Sequence, residues 1–200
     1  MESPVSNNIV KRHSIRKFKP DDISCADLEA IISAGIIAPS SKNRQPWQIL
    51  VIRGELKIKA TEAMRKHIES ALEEAEDDEY RNDLRSALKT MDILDQAPVA
   101  LAIEYVDRRP YRNARRISES FMDRTLVDTL SIGACVENMI LEATERGVGS
   151  LWIGDHLYAE KELRNALGAT EMIVSVVALG YPESVNEKKH VRSDDRVTFF

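Results

Sequence analysis

Cysteine is scarce in this chain, with two residues in 200, Cys25 and Cys135. They form neither the close pair of a zinc or iron–sulfur site nor a disulfide framework, so both read as small apolar residues. No other cluster has metal-ligand spacing, so no metal is expected. No apolar run approaches the roughly 18 residues of a membrane span, and Met1 to Arg12 lacks the apolar stretch of a secretory signal. The expectation is a cytoplasmic protein with no membrane partner. Positive charge is not in excess either, with 28 Lys and Arg against 33 Asp and Glu for a net charge of −5. That balance argues against whole-surface binding of nucleic acid. A G-x-G-x-x-G turn after a strand is missing as well, so a nicotinamide would visit and not occupy a permanent Rossmann site. There is no internal repeat and no low-complexity tract.

What is present suits one globular core. Hydrophobic residues make up 43% of the chain and charged residues 30%, and a single domain over 1–200 is the expectation. The cations are unevenly spread: Lys11, Arg12, His13, Arg16, Lys17 and Lys19 crowd the N-terminus, Arg108 to Arg116 a central stretch, and Lys188 to Arg196 the C-terminal region. Such clusters in an acidic chain suggest local anion sites.

Periodicity places the elements. A short helix is expected over Ser3 to Arg12, and Ser24 with Asp27 reads as the cap of a second that stops before Pro39. Trp47 to Arg53 alternates as a strand with Trp47, Ile49 and Val51 on one side. Glu55 to about Gln96 reads as two helices separated by an exposed acidic bend at Glu73 to Glu79. Pro98 to Tyr105 has the composition of a buried strand, and Ser118 to Arg146 reads as one long helix, apolar on more than one face. Ser150 to Ile153 is a short strand, Lys161 to Leu167 a helix ended by Gly168, and Met172 to Leu179 a final strand. The fold class is α+β, a few strands enclosed by many helices.

Three segments carry chemistry. If Arg12-His13-Ser14-Ile15-Arg16 is extended, Arg12, Ser14 and Arg16 present two guanidinium forks and a hydroxyl on one side, a row suited to a phosphate and a polar ring edge. The alternative is a solvated charged arm. The second segment is Pro39-Ser40-Ser41-Lys42-Asn43-Arg44-Gln45-Pro46-Trp47. A helix-to-strand loop accounts for its Pro and Ser residues but not for an Asn and a Gln before Pro-Trp. The third runs from Asp128 to Gly154 and contains Gly133-Ala134-Cys135-Val136-Glu137-Asn138-Met139, then Gly147-Val148-Gly149-Ser150-Leu151-Trp152-Ile153-Gly154. Asp128, Glu137 and Asn138 are read as caps, salt bridges or interface contacts. His67, His156 and Trp152 stand alone and are read as surface or packing residues, and Met64, Met91, Met122 and Met139 as core or interface filling.

Together with Ala178-Leu179-Gly180-Tyr181-Pro182 and a basic tail, these segments resemble the nitroreductase family of flavoproteins, in the family's order from about residue 9 to 196 and poorly over 55–96. The resemblance implies a mostly antiparallel sheet enclosed by helices, a long central helix at the interface of a homodimer, and tightly bound FMN touching both chains. Arg12, His13, Ser14, Arg16, Ile153, Gly154 and Arg192 would bind from one subunit, with His190 spaced to share the phosphate and Lys188 and Lys189 as rivals for that role. Pro39, Ser40, Ser41, Asn43 and Gln45 would come from the loop of the other. Arg16 would lie near N1 and the C2 carbonyl, where a reduced ring gathers negative charge, and the Gly154 backbone N–H near N5. No acid or base side chain is required. The implied activity is transfer of hydride from NAD(P)H, through FMN, to a nitroaromatic, quinone or flavin in a ping-pong cycle, with Arg108 to Arg116 favouring NADPH. Alternatives are a reductive dehalogenase or flavin-fragmenting enzyme, for which the 55–96 stretch leaves room for a lid, and a flavin-binding protein without turnover.

Overall fold

The computed structural model describes residues 3–106, 124–184 and 198. In chain order the described elements are α1 (Pro4–Lys11), α2 (Cys25–Ile36), β1 (Trp47–Arg53), α3 (Gly54–Glu74), α4 (Asp78–Gln96), β2 (Val99–Tyr105), α5 (Arg124–Glu145), β3 (Gly149–Ile153), α6 (Glu160–Leu167) and β4 (Ile173–Gly180). Short 3₁₀ turns occupy Ser41–Asn43 and Asp155–Ala159.

Local chemistry sets the boundaries. Pro4 opens α1 behind Ser3, whose hydroxyl accepts the Ser6 N–H at 3.1 Å. Ser24 does the same for Asp27 of α2 at 3.0 Å. The acidic run breaks the following helical stretch as the sequence suggests: α3 ends at Glu74, Asp77 accepts the Tyr80 N–H at 2.7 Å to start α4, and Arg81 donates to the freed Ala75 carbonyl at 2.7 Å. At the far end of α4, buried Lys57 donates to the carbonyls of Leu94 and Asp95 at 2.9 and 2.8 Å. Burial pulls its pKa down, with the charge of Asp95 opposing. Gly168 stops α6 in the left-handed region, φ 65°.

The four strands are ordered β1-β2-β4-β3, every neighbouring pair antiparallel. β2 lies inside and is apolar on both faces. Its Ala100 and Ala102 meet Met64, Ile68, Leu84 and Met91 of the α3–α4 layer, with Leu163 of α6. Leu101 and Ile103 meet Ile31 of α2 and Ile132, Cys135, Val136 and Met139 of α5 on the other side. Burial pushes the Cys135 thiol up to about 12, an inert apolar side chain, whereas Cys25 is exposed. One face of residues 55–96 is therefore a core layer.

The two layers differ in completeness. On α5 the core stripe is backed by a second one: Leu126 and Leu130, 50% and 68% exposed, continue at helical spacing through half-buried Ala134, Glu137 and Leu141. Val5, Ile9 and Val10 of α1 and Ile37 after α2 are also exposed, and Asn8 of α1 docks on α5 by donating to the Leu141 carbonyl at 2.8 Å. Among the described residues no helix is long and apolar enough to cross a membrane.

Candidate functional site

Among the described residues β3 is an outer strand, and its other side receives the N-terminal segment. Ser14 forms a parallel bridge to Ser150, and the Ile15 N–H donates to the Ser150 carbonyl at 2.9 Å. The approach is close enough to require glycine beside it: a Cβ on Gly149 would lie 2.8 Å from Ile15 Cγ1. Ile15 and Phe18 are buried anchors, and Lys19 donates to the Tyr181 carbonyl at 2.8 Å. Arg16 is exposed, and Arg12, His13 and Ser14 are half-buried. His13 lines a groove of about 290 Å³ with Lys11, Ile15, Thr144 and Ser150.

At the opposite end of β3, buried Ile153 leads to Gly154, where a Cβ would meet nothing within 4 Å. The space before this backbone is open. Gly154 lies four residues beyond Ser150, about 13 Å along a strand. Two residues set aside in the sequence adjoin this corner. Trp152 is 45% exposed on the strand's edge, beside Gly133 of α5. His156 is buried beneath, Nδ1 3.0 Å from the Ile153 carbonyl and Nε2 3.2 Å from that of Ile173. Only the position of Trp152, on the open edge of a short glycine-flanked strand, gave a sequence signal.

The loop before β1 is strained. Lys42, Asn43 and Gln45 all take positive φ, 54°, 53° and 50°, without being glycine. Such residues cost on the order of 1 kcal/mol or more each and concentrate where function demands the conformation. Local bonds hold the turn: Ser40 Oγ accepts the Gln45 N–H at 3.0 Å, and Gln45 Nε2 donates to Asn43 Oδ1 at 3.0 Å. Between them, Arg44 turns inward and clamps Asp128 of α5 through Nε to Oδ1 at 3.1 Å and Nη2 to Oδ2 at 2.6 Å. The two side chains are 4% and 0% exposed, and the Tyr105 hydroxyl donates to the same carboxylate at 3.3 Å. Arg44 is thus the anchor that the loop's sequence did not disclose, and Asp128 the salt-bridge member expected of it. Asn138 likewise makes a structural contact, donating to the Ala34 carbonyl at 3.1 Å.

Within one chain these parts do not meet. The Trp47 end of β1 and the Ile153 end of β3 face the same way, but β2 and β4 lie between them, a separation of about 14 Å across three strand spacings. The Arg12–Arg16 row sits at the other end of β3. His190, Arg192 and the Arg108 to Arg116 run lie outside the described residues, as does Met122.

An α+β fold with an open edge strand, a basic row along it and a strained polar loop defines the class. The chain belongs to the nitroreductase family: the model described as "Nitroreductase family" matches residues 9–181, the α3–α4 region included. A protein of Archaeoglobus fulgidus assigned as an NADH dehydrogenase/NAD(P)H nitroreductase is 31% identical over 195 residues, 94% of this chain and 90% of that protein. The crystal structure of a BluB-like flavoprotein from Clostridium difficile 630 superposes with a TM-score of 0.77 at 26% identity, covering 100% of this chain and 99% of that one. A nitroreductase with bound FMN from Bacteroides fragilis NCTC 9343 shares the fold with a TM-score of 0.72 at 22% identity, each chain fully covered.

Proposed function

We propose that this chain is an FMN-dependent oxidoreductase that takes hydride from NAD(P)H and delivers it to a small acceptor, a nitroaromatic, a quinone or a free flavin, and that it works as a homodimer. When bound, FMN supplies the two-electron chemistry, serving reductant and acceptor in turn at one cleft in a ping-pong cycle. The carrying observation is the arrangement on β3: a basic row at one end and an open glycine backbone at the other.

The residues divide the work. Arg12 and Ser14 offer a guanidinium fork and a hydroxyl to the phosphate and ribityl chain, joined by His190 and Arg192 of the C-terminal region. Arg16 places fixed positive charge where the ring gathers negative charge on reduction. Ile153 packs beneath the corner, and the Gly154 N–H would be the donor offered to the ring atom that exchanges hydride, glycine leaving room for close approach. Pro39, Ser40, Ser41, Asn43 and Gln45 of the second chain complete the pocket, which is why their loop is held rigid by the Arg44–Asp128 clamp yet lies apart from the same chain's β3. The exposed stripe of Leu126 and Leu130 with Val5, Ile9 and Val10 of α1 supports burial of this face in the dimer.

Stopped-flow mixing of FMN-loaded protein with NADPH and with NADH tests the activity. Loss of flavin absorbance with at least one nucleotide, restored by a nitroaromatic or quinone, is expected. Failure to bleach with either removes the reductase reading.

A further inference from the structure

We propose that His156 is a positioning residue for the site: its Nδ1–H donates to the Ile153 carbonyl and so orients and polarises the peptide group whose other end is the Gly154 N–H. The inference rests on the proposed function above and adds to it a side chain that touches neither cofactor nor substrate. The Ile153 C=O and the Gly154 N–H belong to one planar unit and point in opposite directions across it, so fixing one fixes the other. A hydrogen bond to the carbonyl also draws charge through the amide and makes its N–H a stronger donor.

The geometry distinguishes this role from core filling. His156 is 1% exposed, and each ring nitrogen faces a backbone carbonyl, Ile153 at 3.0 Å and Ile173 at 3.2 Å. A neutral imidazole has one N–H, so only one of these carbonyls can be served, and the proposed role places it on Nδ1, at the shorter approach. Burial lowers the pKa of the ring, with the two carbonyls and the charges of Glu160 and Asp155 opposing. The ring is itself held. Its turn is tied to α4 by the Thr90 hydroxyl donating to Asp155, and Ile173, under Nε2, donates its N–H to Glu160 Oε1 at 2.9 Å. The turn that carries the ring is therefore tied to α4 through Asp155 and to β4 through Glu160.

The first measurement is the protonation of the His156 ring by ¹⁵N NMR of the wild-type protein without FMN. A proton on Nδ1 is expected and supports the proposal whether or not Nε2 also carries one; a proton on Nε2 alone overturns it. The second compares FMN-loaded His156→Asn, whose amide can reproduce the Nδ1 donor, with His156→Gln and His156→Leu, which do not. His156→Leu and His156→Gln should move the Gly154 amide proton upfield and slow flavin reduction by NAD(P)H about tenfold, one hydrogen bond's worth. His156→Asn should restore both. Rescue by Gln and not Asn, or an unmoved Gly154 signal in all three, overturns the proposal. Should wild-type protein take up no FMN, the flavin reading fails by itself while the ring measurement still decides where the proton sits. It also decides the matter should the Leu variant not fold.

Discussion

The two faces of the sheet have been finished to different degrees. On one, α3, α4 and α6 close over β2 and β4 with Met64, Ile68, Leu84 and Met91 fully buried, and the polar groups there serve helix ends, as Lys57 does. On the other, α5 has a core stripe and an uncovered one, α1 shows three aliphatic residues to solvent, and the loop before β1 holds three non-glycine residues at positive φ against a buried ion pair. A complete layer supports folding; an incomplete one, strained and apolar at once, is shaped for a partner and a ligand. The loop before β1 belongs to the second, while Ile15 and Ile153 of the candidate site are rooted in the first.

Four substitutions sharpen that contrast, in order of expected effect. Arg44→Ala leaves Asp128 buried without its cation, so urea denaturation should show a loss of about 3–5 kcal/mol, accompanied by weakened FMN uptake because the loop loses its anchor. Met91→Ala in the complete layer should cost about 2–5 kcal/mol of stability through a cavity, yet leave the FMN dissociation constant and the oligomeric state of the folded protein unchanged. Leu130→Lys should do the reverse: the dimer dissociation constant measured by sedimentation rises about thirtyfold or more, while stability of the isolated chain moves by no more than about 0.5 kcal/mol. The smallest effect is expected at Asp27, whose carboxyl is held below the usual range by the Ser24 hydroxyl first and by Arg146. A folded pKa below the unfolded one contributes stability that is present at neutral pH and is lost as pH falls through the folded value. Asp27→Asn should therefore lower Tm slightly at pH 7, and the difference from wild type should vanish at pH well below 3.8.

Much of the complete layer was legible in the sequence, because periodicity and turn chemistry are local. The alternation from Trp47 to Arg53 gives β1, the acidic run gives the break between α3 and α4, and Ser24 and Gly168 mark a helix start and a helix end. The site was legible in its residue types but not in its geometry. Nothing local in Lys42-Asn43-Arg44-Gln45 announces three left-handed residues, since no glycine marks them. Arg44 and Asp128 are 84 positions apart, and their pairing exists only once α5 crosses the loop. The 3₁₀ turn Asp155–Ala159 is too short for a periodic signal, so His156 stood out in no pattern until it was found beneath Ile153.

Sedimentation equilibrium during FMN titration, on wild type and on Leu130→Lys, reaches the central claim most directly. Wild type should be a dimer that takes up two equivalents of FMN with saturation, and the substituted chain should lose cofactor in step with the dimer. A monomer that binds FMN as tightly as the dimer, or a dimer with no saturable uptake, would contradict a site shared between two chains.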